Sequence, residues 1–207
     1  MKTYRPQTAI RHGRLREALV GAAAKTIAKR GLAGLKARAL ADEAGCAVGA
    51  IYNVVSDLDE LILHANARAL AALEKALTAT VTSGQAPDWA IDQLMRLALA
   101  YLDFAAAHRL QWRALFEHRL SSGQDLPEWY QRDLERLFDF VERPVAELLP
   151  GASRERRKLL ARSLFSAAHG VVALGLEEKL QFIPLKALRE QVTIVVTALG
   201  RGLAGDE

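Results

Sequence analysis

The stretch LKARALADEAGCAVGAIYNVV, residues 35–55, holds two short apolar repeats with a glycine between them. In each repeat, apolar residues recur at steps of three, one and three, which places them on one face of a helix. The first set is Ala37, Leu40, Ala41 and Ala44, and the second is Val48, Ile51, Tyr52 and Val55. Because helices this short are not stable alone, both must pack on a neighbour, with Gly45 forming the turn between them. The stretch therefore predicts a helix-turn-helix.

The residue types in this stretch indicate contact with DNA. The first helix of such a motif lies across the DNA backbone, where Lys36 and Arg38 would reach phosphates. The second helix enters the major groove and contacts bases from its N-terminal end. Ala47, Gly49 and Ala50 are small, so the helix backbone could come close to the bases. The alternative is a packed helical hairpin with no role in DNA binding.

Longer helices are expected on both sides of the motif. An apolar stripe at helical spacing predicts a helix from about Gly13 to Arg30, ended by Gly31. Ser56 is expected to cap the next long helix, since Asp59 follows three residues later as in a capping box. These helices would supply the surfaces on which the two short helices pack.

The rest of the chain also favours helices and contains no convincing strand. Apolar residues recur at helical spacing behind Pro87, Pro127, Ser153 and Pro184, so each of these residues is expected to open a helix. Pro144 should kink or end its helix, because proline lacks a backbone donor and clashes with the preceding turn. The predicted fold class is all-α, with about nine helices: an N-terminal three-helix head on a C-terminal helical domain.

Charge is distributed unevenly along the chain. The 207 residues carry a formal net charge of +4, yet residues 1–55 hold ten Lys or Arg and three acids, a net +7. The remaining residues therefore sum to −3. A basic end on an acidic body indicates a polyanionic partner or a solvated basic tail. The basic residues ahead of the motif, here called the basic arm, are Arg5, Arg11, Arg14 and Arg16.

Several other classes of protein are disfavoured. No apolar run approaches the ~20 residues that span a bilayer, and the single cysteine, Cys46, cannot form an internal disulfide, which fits a reducing cytoplasm. Glu60 and His64 lie one helical turn apart, as a charge pair rather than half of a metal site. With no nucleophile motif or phosphate loop, we expect a cytoplasmic protein that is not an enzyme and has no cofactor, metal or membrane partner.

Taken together, these features resemble the TetR/AcrR family of bacterial regulators. The resemblance rests on Leu40-Ala41 with Ala44-Gly45, on Gly49-Ala50-Ile51-Tyr52, and on Asp59-Glu60-Leu61 at the start of the next helix. It covers about residues 14–65. It implies a DNA-binding domain at residues 1–60, with the basic arm, and an effector-binding and dimerisation domain at residues 61–207.

The resemblance also implies roles for single residues, with Tyr52 contacting a DNA phosphate. The expected DNA-binding residues are Lys36, Arg38, Ala47, Val48, Gly49, Ala50, Tyr52 and Asn53. The chain departs from the family pattern in four places: Ala47 stands where serine is usual, Ala50 where threonine is usual, Val54-Val55 where His-Phe is usual, and Leu58 where lysine is common. These changes preserve apolar packing and remove polar groups that could touch the DNA backbone, a loss that the basic arm would offset in part.

The second half of the chain is expected to hold a small-molecule effector site. Aromatic residues cluster there, and such residues line apolar pockets that have a few polar anchors. The candidate residues are Tyr101, Phe104, Trp112, Phe116, Trp129, Phe138 and His169. The alternative for any one of them is ordinary core packing.

The last two helices carry apolar stripes with small residues that allow close approach, and the resemblance implies that they form a homodimer interface. A two-fold dimer would place the reading helices about 34 Å apart on a palindromic operator in double-stranded DNA. The sequence thus predicts a repressor that a small-molecule effector releases from its operator. The alternatives are a helical small-molecule-binding protein whose DNA-binding head is weakened or lost, and a small helical enzyme, for which no catalytic set of residues is seen.

Overall fold

The computed structural model describes residues 6–84, 87–121, 125–177 and 183–205. Over these ranges the chain forms nine α-helices and one 3₁₀ helix and has no strand, which confirms the all-α prediction. The α-helices are α1 (Pro6–Arg30), α2 (Ala37–Ala44), α3 (Val48–Ile51), α4 (Leu58–Thr78), α5 (Pro87–Ala107), α6 (Arg109–Glu117), α7 (Glu128–Leu148), α8 (Arg154–Gly175) and α9 (Leu185–Gly205). The 3₁₀ helix, Leu32–Gly34, follows α1.

The chain divides into two compact units. The first unit comprises Met1–Ala71 with His108–Tyr130, and the second comprises Ala72–Ala107 with Gln131–Glu207. The division falls within α4, whereas the functional boundary expected from the sequence lies at residue 60. Residues 108–130 return to the first unit because α6 packs on α1.

The core of the first unit is built on the inner face of α1. Of the expected apolar stripe, Leu19, Ala22, Ala23 and Ile27 are buried and Leu15 is half-buried. The helix begins at Pro6 rather than near Gly13, so the sequence prediction of its start was wrong by seven residues. A single exposed glycine costs a helix only about 1 kcal/mol and does not end it.

The N-terminus of α4 is capped one residue later than expected. Asp57 Oδ1 accepts a hydrogen bond from the backbone N–H of Glu60 at 2.7 Å, and Glu60 Oε2 accepts one from the backbone N–H of Ser56 at 2.6 Å. Asp57 therefore caps α4 in place of Ser56, and the Glu60 carboxylate reaches back to the N–H of Ser56 rather than to that of Asp57, so no reciprocal capping box forms. A carboxylate at the cap also interacts favourably with the positive end of the helix dipole.

In the second unit, α9 packs on both α5 and α8. The buried face of α9 is Leu188, Val192, Val196 and Gly200. Glycine allows close approach between helices at two points: a Cβ on Gly175 would lie 2.2 Å from Leu188 Cδ1, and one on Gly200 would lie 3.1 Å from Ile91 Cγ1. Both glycines therefore contribute to the packing of helices within the chain.

Pro144 does not end its helix. Helix α7 continues past it to Leu148, so one of the two expected outcomes is excluded. Pro144 and Val145 are both fully buried. The free energy gained by this burial offsets the cost of the backbone hydrogen bond that proline cannot donate. Ser153 behaves as expected: its side chain accepts from the backbone N–H of Arg156 and caps α8.

Candidate nucleic-acid interface and ligand cavity

The turn between α2 and α3 depends on Gly45. This residue adopts φ 67° and ψ 38°, a left-handed conformation that glycine reaches without steric cost. The turn is closed by a hydrogen bond from the backbone N–H of Cys46 to the Ala41 carbonyl, 2.9 Å long. The predicted helix-turn-helix is therefore present, although its second helix is a single turn, Val48–Ile51.

Apolar side chains anchor both short helices to the core of the first unit. Leu40 and Ala41 of α2, with Ile51 of α3 and Val55 beyond it, are buried together with the inner face of α1. Each buried Leu, Ile or Val side chain of this set contributes about 1.5–3 kcal/mol. This anchoring fixes which face of each short helix points outward.

The outward face carries most of the predicted DNA-binding residues. Seven of the eight are exposed: Lys36, Arg38, Ala47, Val48, Gly49, Tyr52 and Asn53. Ala50 is half-buried. Tyr52 is 51% exposed and Val48 38% exposed, so both side chains are accessible to a partner. The fold thus gathers these residues on one accessible surface, here called the α2–α3 face.

Charge on the α2–α3 face is available to a partner. Among the described residues, neither Lys36 nor Arg38 forms an ion pair, while Lys25 pairs with Glu43 at 2.7 Å. In the basic arm, Arg11 and Arg14 lie on α1 and are exposed, and Arg5 lies outside the described residues.

Arg16 is engaged within the protein. It pairs with Glu60, and its Nη2 atom lies 2.6 Å from Nε2 of His64. Because arginine only donates, His64 must accept through this nitrogen in its neutral form. Arg16 thus ties α1 to α4, so its charge is already paired within the first unit, unlike the charges expected of a free basic arm.

The apolar residues that replace the polar ones of the family pattern belong to the core. Val55 is 4% exposed, and Val54 and Leu58 pack against the same cluster around α1. At these positions the chain therefore has apolar side chains that pack in the core, where the family pattern has polar side chains. By contrast, Ala47 is exposed, so the serine that is usual there is lost without such a gain.

Two polar clusters around α4 were not foreseen from the sequence. Asp59 Oδ2 accepts from the Ser121 hydroxyl at 2.8 Å, and Asp59 Oδ1 lies 3.6 Å from Nε2 of the nearly buried His118. His64 stacks on Trp129 with ring centroids 4.5 Å apart. Only the Glu60–His64 pair, 3.6 Å apart, followed from helical spacing, because the other partners lie far away in sequence.

Burial controls the protonation of these histidines. It lowers the pKa of His118 below its ordinary value of 6.5, and the nearby charges of Asp59 and Asp57 oppose that change. Burial and then the Arg16 charge lower the pKa of His64. Burial raises the pKa of Glu60, but hydrogen bonds from Ser56 and Arg16 outweigh it, so that pKa is lowered. Near neutral pH the cluster therefore holds neutral histidines and an ionised Glu60.

The expected effector residues fall into two groups. Tyr101, Phe138 and His169 lie together in the second unit around Phe165, and the Tyr101 hydroxyl lies 2.7 Å from Nδ1 of His169. Buried Phe104 belongs to the same unit. Trp112, Phe116 and Trp129 lie in the first unit, where Trp112 contacts Phe116.

A cavity of about 210 Å³ lies elsewhere in the second unit. Its lining residues are Val81, Trp89, Gln93, Asp139, Phe140, Arg143 and Pro144. The seven expected effector residues, all of which the structure describes, are not among them. Trp89 is held by a hydrogen bond to Thr82 at 3.0 Å and by the Arg143 guanidinium, 5.7 Å from its ring centroid. These contacts leave a mostly apolar wall flanked by Asp139.

The described residues contain neither a candidate metal site nor a candidate membrane span. No three His, Cys, Asp or Glu side chains in the described ranges are grouped so that they could hold a metal ion. Every helix in the described part of the chain is too short or too polar to cross a membrane.

Comparison with known proteins finds one matching family and several solved structures with the same fold. Residues 94–199, slightly more than half of the chain, match the family described as tetracyclin repressor-like, C-terminal domain. A comparison with curated proteins gives no match.

Several solved structures share the fold over nearly the whole chain. A protein with unknown function from Rhodococcus sp. RHA1 is 26% identical with a TM-score of 0.72, and the match covers 99% of this chain and 100% of that one. A tetR-family transcriptional regulator from Streptomyces coelicolor is 21% identical, with a TM-score of 0.67 and 94% and 84% covered. A TetR-like transcriptional regulator from Rhodococcus sp. RHA1 is also 21% identical, with a TM-score of 0.59 and 92% and 96% covered.

Proposed function

The chain belongs to the tetracyclin repressor-like family, and from this premise we propose that it is a dimeric repressor that a small-molecule effector releases from its DNA operator. The observation that carries the proposal is the α2–α3 face. Lys36 and Arg38 are exposed there without an ion pair among the described residues, beside exposed Tyr52 and the short helix α3. We assign DNA binding to residues 1–60, with effector binding and dimerisation in residues 61–207.

The roles of the residues on this face follow from their chemistry. Lys36, Arg38 and the Tyr52 hydroxyl would bind phosphates, which positions the protein on the duplex. Ala47 to Ala50 and Asn53 would face the bases of the major groove. A two-fold dimer then presents two such faces to a palindromic site.

Dimerisation is supported by an exposed surface on the last two helices. On α8, one stripe at helical spacing contains the exposed residues Leu159, Ser163, Ser166 and Leu174 and the half-buried Gly170. On α9, Ile194 is 60% exposed and lies opposite the buried face. A Cβ on Gly170 would meet nothing within 4 Å, so this glycine leaves room for a partner helix. Together, the stripe and Ile194 form the proposed dimer surface.

The effector is proposed to bind in the second unit and to act through α4. The 210 Å³ cavity beside Trp89 and the Tyr101–His169 pair supply apolar walls and polar anchors. Helix α4 is shared by both units, so a change of its tilt would alter the spacing of the two reading helices. A ligand that raises the melting temperature in a screen of small apolar compounds should then also weaken operator binding.

DNA binding is tested with a duplex taken from upstream of the gene itself. Selective binding should fall steeply as salt rises, and the double variant Lys36→Ala/Arg38→Ala should weaken binding and reduce the salt slope by about two. Arg154→Ala, an exposed arginine on α8, is the matched control and should leave binding unchanged.

A second candidate, a helical ligand-binding protein with a weakened DNA-binding head, is favoured by the missing polar group at exposed Ala47. It predicts equal, weak binding to every duplex at low salt. That result would refute the repressor proposal.

A further inference from the structure

The exposed surface of α3 is almost free of hydrogen-bonding side chains. Ala47, Val48 and Gly49 are exposed and Ala50 is half-buried, and none of the four has a polar side-chain atom. Asn53, just beyond the helix, carries the one amide that faces outward with them. This composition limits what α3 can recognise on the edge of a base pair.

Each base pair presents a different set of groups in the major groove. Guanine is most often selected by arginine or lysine through its O6 and N7 atoms, and cytosine by a carboxylate that accepts from its amino group. The α3 surface has neither kind of side chain. Thymine is the one base whose major-groove edge carries an apolar group, the 5-methyl, and this group is contacted by aliphatic side chains.

The geometry allows such contacts at short range. Val48 is 38% exposed, and its branched side chain ends in two methyl groups. Its neighbours Ala47 and Gly49 have one methyl group and none. A Cβ built on Gly49 would meet nothing within 4 Å, so no other described element of the chain covers the helix backbone at this point. Unpaired Lys36 and Arg38 at the start of α2 supply the positive charge that draws this surface to a polyanion.

We propose that α3 selects its half-site by the 5-methyl groups of thymine, with Val48 as the main contact, and that Asn53 adds a bidentate hydrogen bond to an adenine. This inference rests on the proposed function, because it requires α3 to lie in the major groove. It names the chemical class of the operator: half-sites rich in A·T pairs whose thymine methyls line the groove wall. A site of this kind is recognised by apolar contact with thymine methyls and by a hydrogen bond to adenine, rather than by hydrogen bonds to guanine.

The test removes the methyl groups and nothing else. After the bound region is mapped by footprinting, each thymidine of a half-site is replaced by deoxyuridine, which keeps every hydrogen-bonding group of the base pair. Loss of a contacted methyl should weaken binding about fourfold, since a buried methylene-sized group contributes roughly that factor. Deoxyuridine in the flanking DNA is the control and should have no effect.

A complementary substitution restores the methyl on a different base. Replacing a contacted T·A pair by C·G should weaken binding, and 5-methylcytosine at the same position should recover part of the loss. The variant Val48→Ala should bind the thymidine duplex more weakly and should lose its ability to distinguish thymidine from deoxyuridine at one position. Because Val48 lies outside the core, this variant should keep its helical circular dichroism.

The outcomes separate the inference from the proposed function. Selective, salt-dependent binding that is unaffected by deoxyuridine, or a footprint whose half-sites lack thymine, overturns the inference and leaves the repressor proposal standing. Binding that is equal on all duplexes overturns both.

Discussion

Asn66 shows how a single buried polar side chain joins distant parts of the first unit. It lies within the apolar stripe of α4 and is 2% exposed, yet its Nδ2 donates to the Ala114 carbonyl of α6 at 3.1 Å. A buried amide without a partner would cost free energy, so this contact specifies how α6 packs on α4. The sequence shows an asparagine on an apolar face but not its partner, which lies 48 residues away.

We therefore expect Asn66→Ala to lower the free energy of unfolding by about 2 kcal/mol, from the lost hydrogen bond and the space left behind. Urea denaturation followed by circular dichroism measures this change. The control is Thr78→Ala, which removes an exposed hydroxyl bonded to the Glu74 carbonyl on α4 and should cost no more than about 0.5 kcal/mol. Equal effects of the two substitutions would contradict the role given to Asn66.

At the scale of the element, the ends of helices were harder to foresee than the helices themselves. Periodicity located the apolar stripes of α1, α4 and α9, because burial of one face repeats with the turn of the helix. It could not choose between Ser56 and Asp57 as the cap of α4, because both residue types are favoured there. The choice depends on which side chain reaches the free N–H of Glu60, and the packed chain places Asp57 there.

The cap leads to a paired prediction. Asp57→Ala should lower the free energy of unfolding by about 1 kcal/mol, because the Glu60 N–H loses its acceptor and the helix dipole loses a favourable charge. Ser56→Ala should cost less than Asp57→Ala, since alanine retains the backbone N–H that donates to Glu60 and only the hydroxyl bond to the same carboxylate is lost. Chemical denaturation of both variants measures these changes. If Ser56→Ala lowers the free energy of unfolding more than Asp57→Ala does, Ser56 is the cap, as the sequence predicted.

On the scale of the whole molecule, assembly should depend on the exposed stripe of α8. Leu174→Arg places a charge on the proposed dimer surface, so we expect the variant to sediment as a monomer and to bind the two-half-site operator more weakly. Val81→Arg, also at an exposed apolar residue of the second unit, should remain dimeric. A Leu174→Arg protein that sediments like the wild type would show that another surface forms the dimer. Analytical ultracentrifugation distinguishes these results.

Stability should fall as the solution is acidified. Burial lowers the pKa of His64, His118 and His169 below 6.5, so the unfolded chain binds protons that the folded chain does not. The contribution of the neutral histidines to the free energy of unfolding is fully present above pH 6.5. It is lost as the pH falls through their lower folded-state pKa. The urea midpoint should therefore be lower at pH 5.5 than at pH 7.5.

The variant His169→Gln isolates one part of this effect, because burial alone lowers the pKa of His169. The difference between the midpoints at pH 7.5 and pH 5.5 should shrink in this variant. An undiminished difference would mean that His169 does not contribute.

The sequence by itself determined the all-α class, the helix-turn-helix around Gly45 and the residues that could face DNA. These follow from local physics: the repeat of apolar residues sets which face is buried, and a left-handed turn between two short helices requires glycine. Only the tertiary structure decided that Arg16 is held by Glu60 and His64, and that the seven expected effector residues divide between two units. It also showed that the cavity lies beside Trp89. These features join residues far apart in sequence, and no local pattern encodes which of them meet.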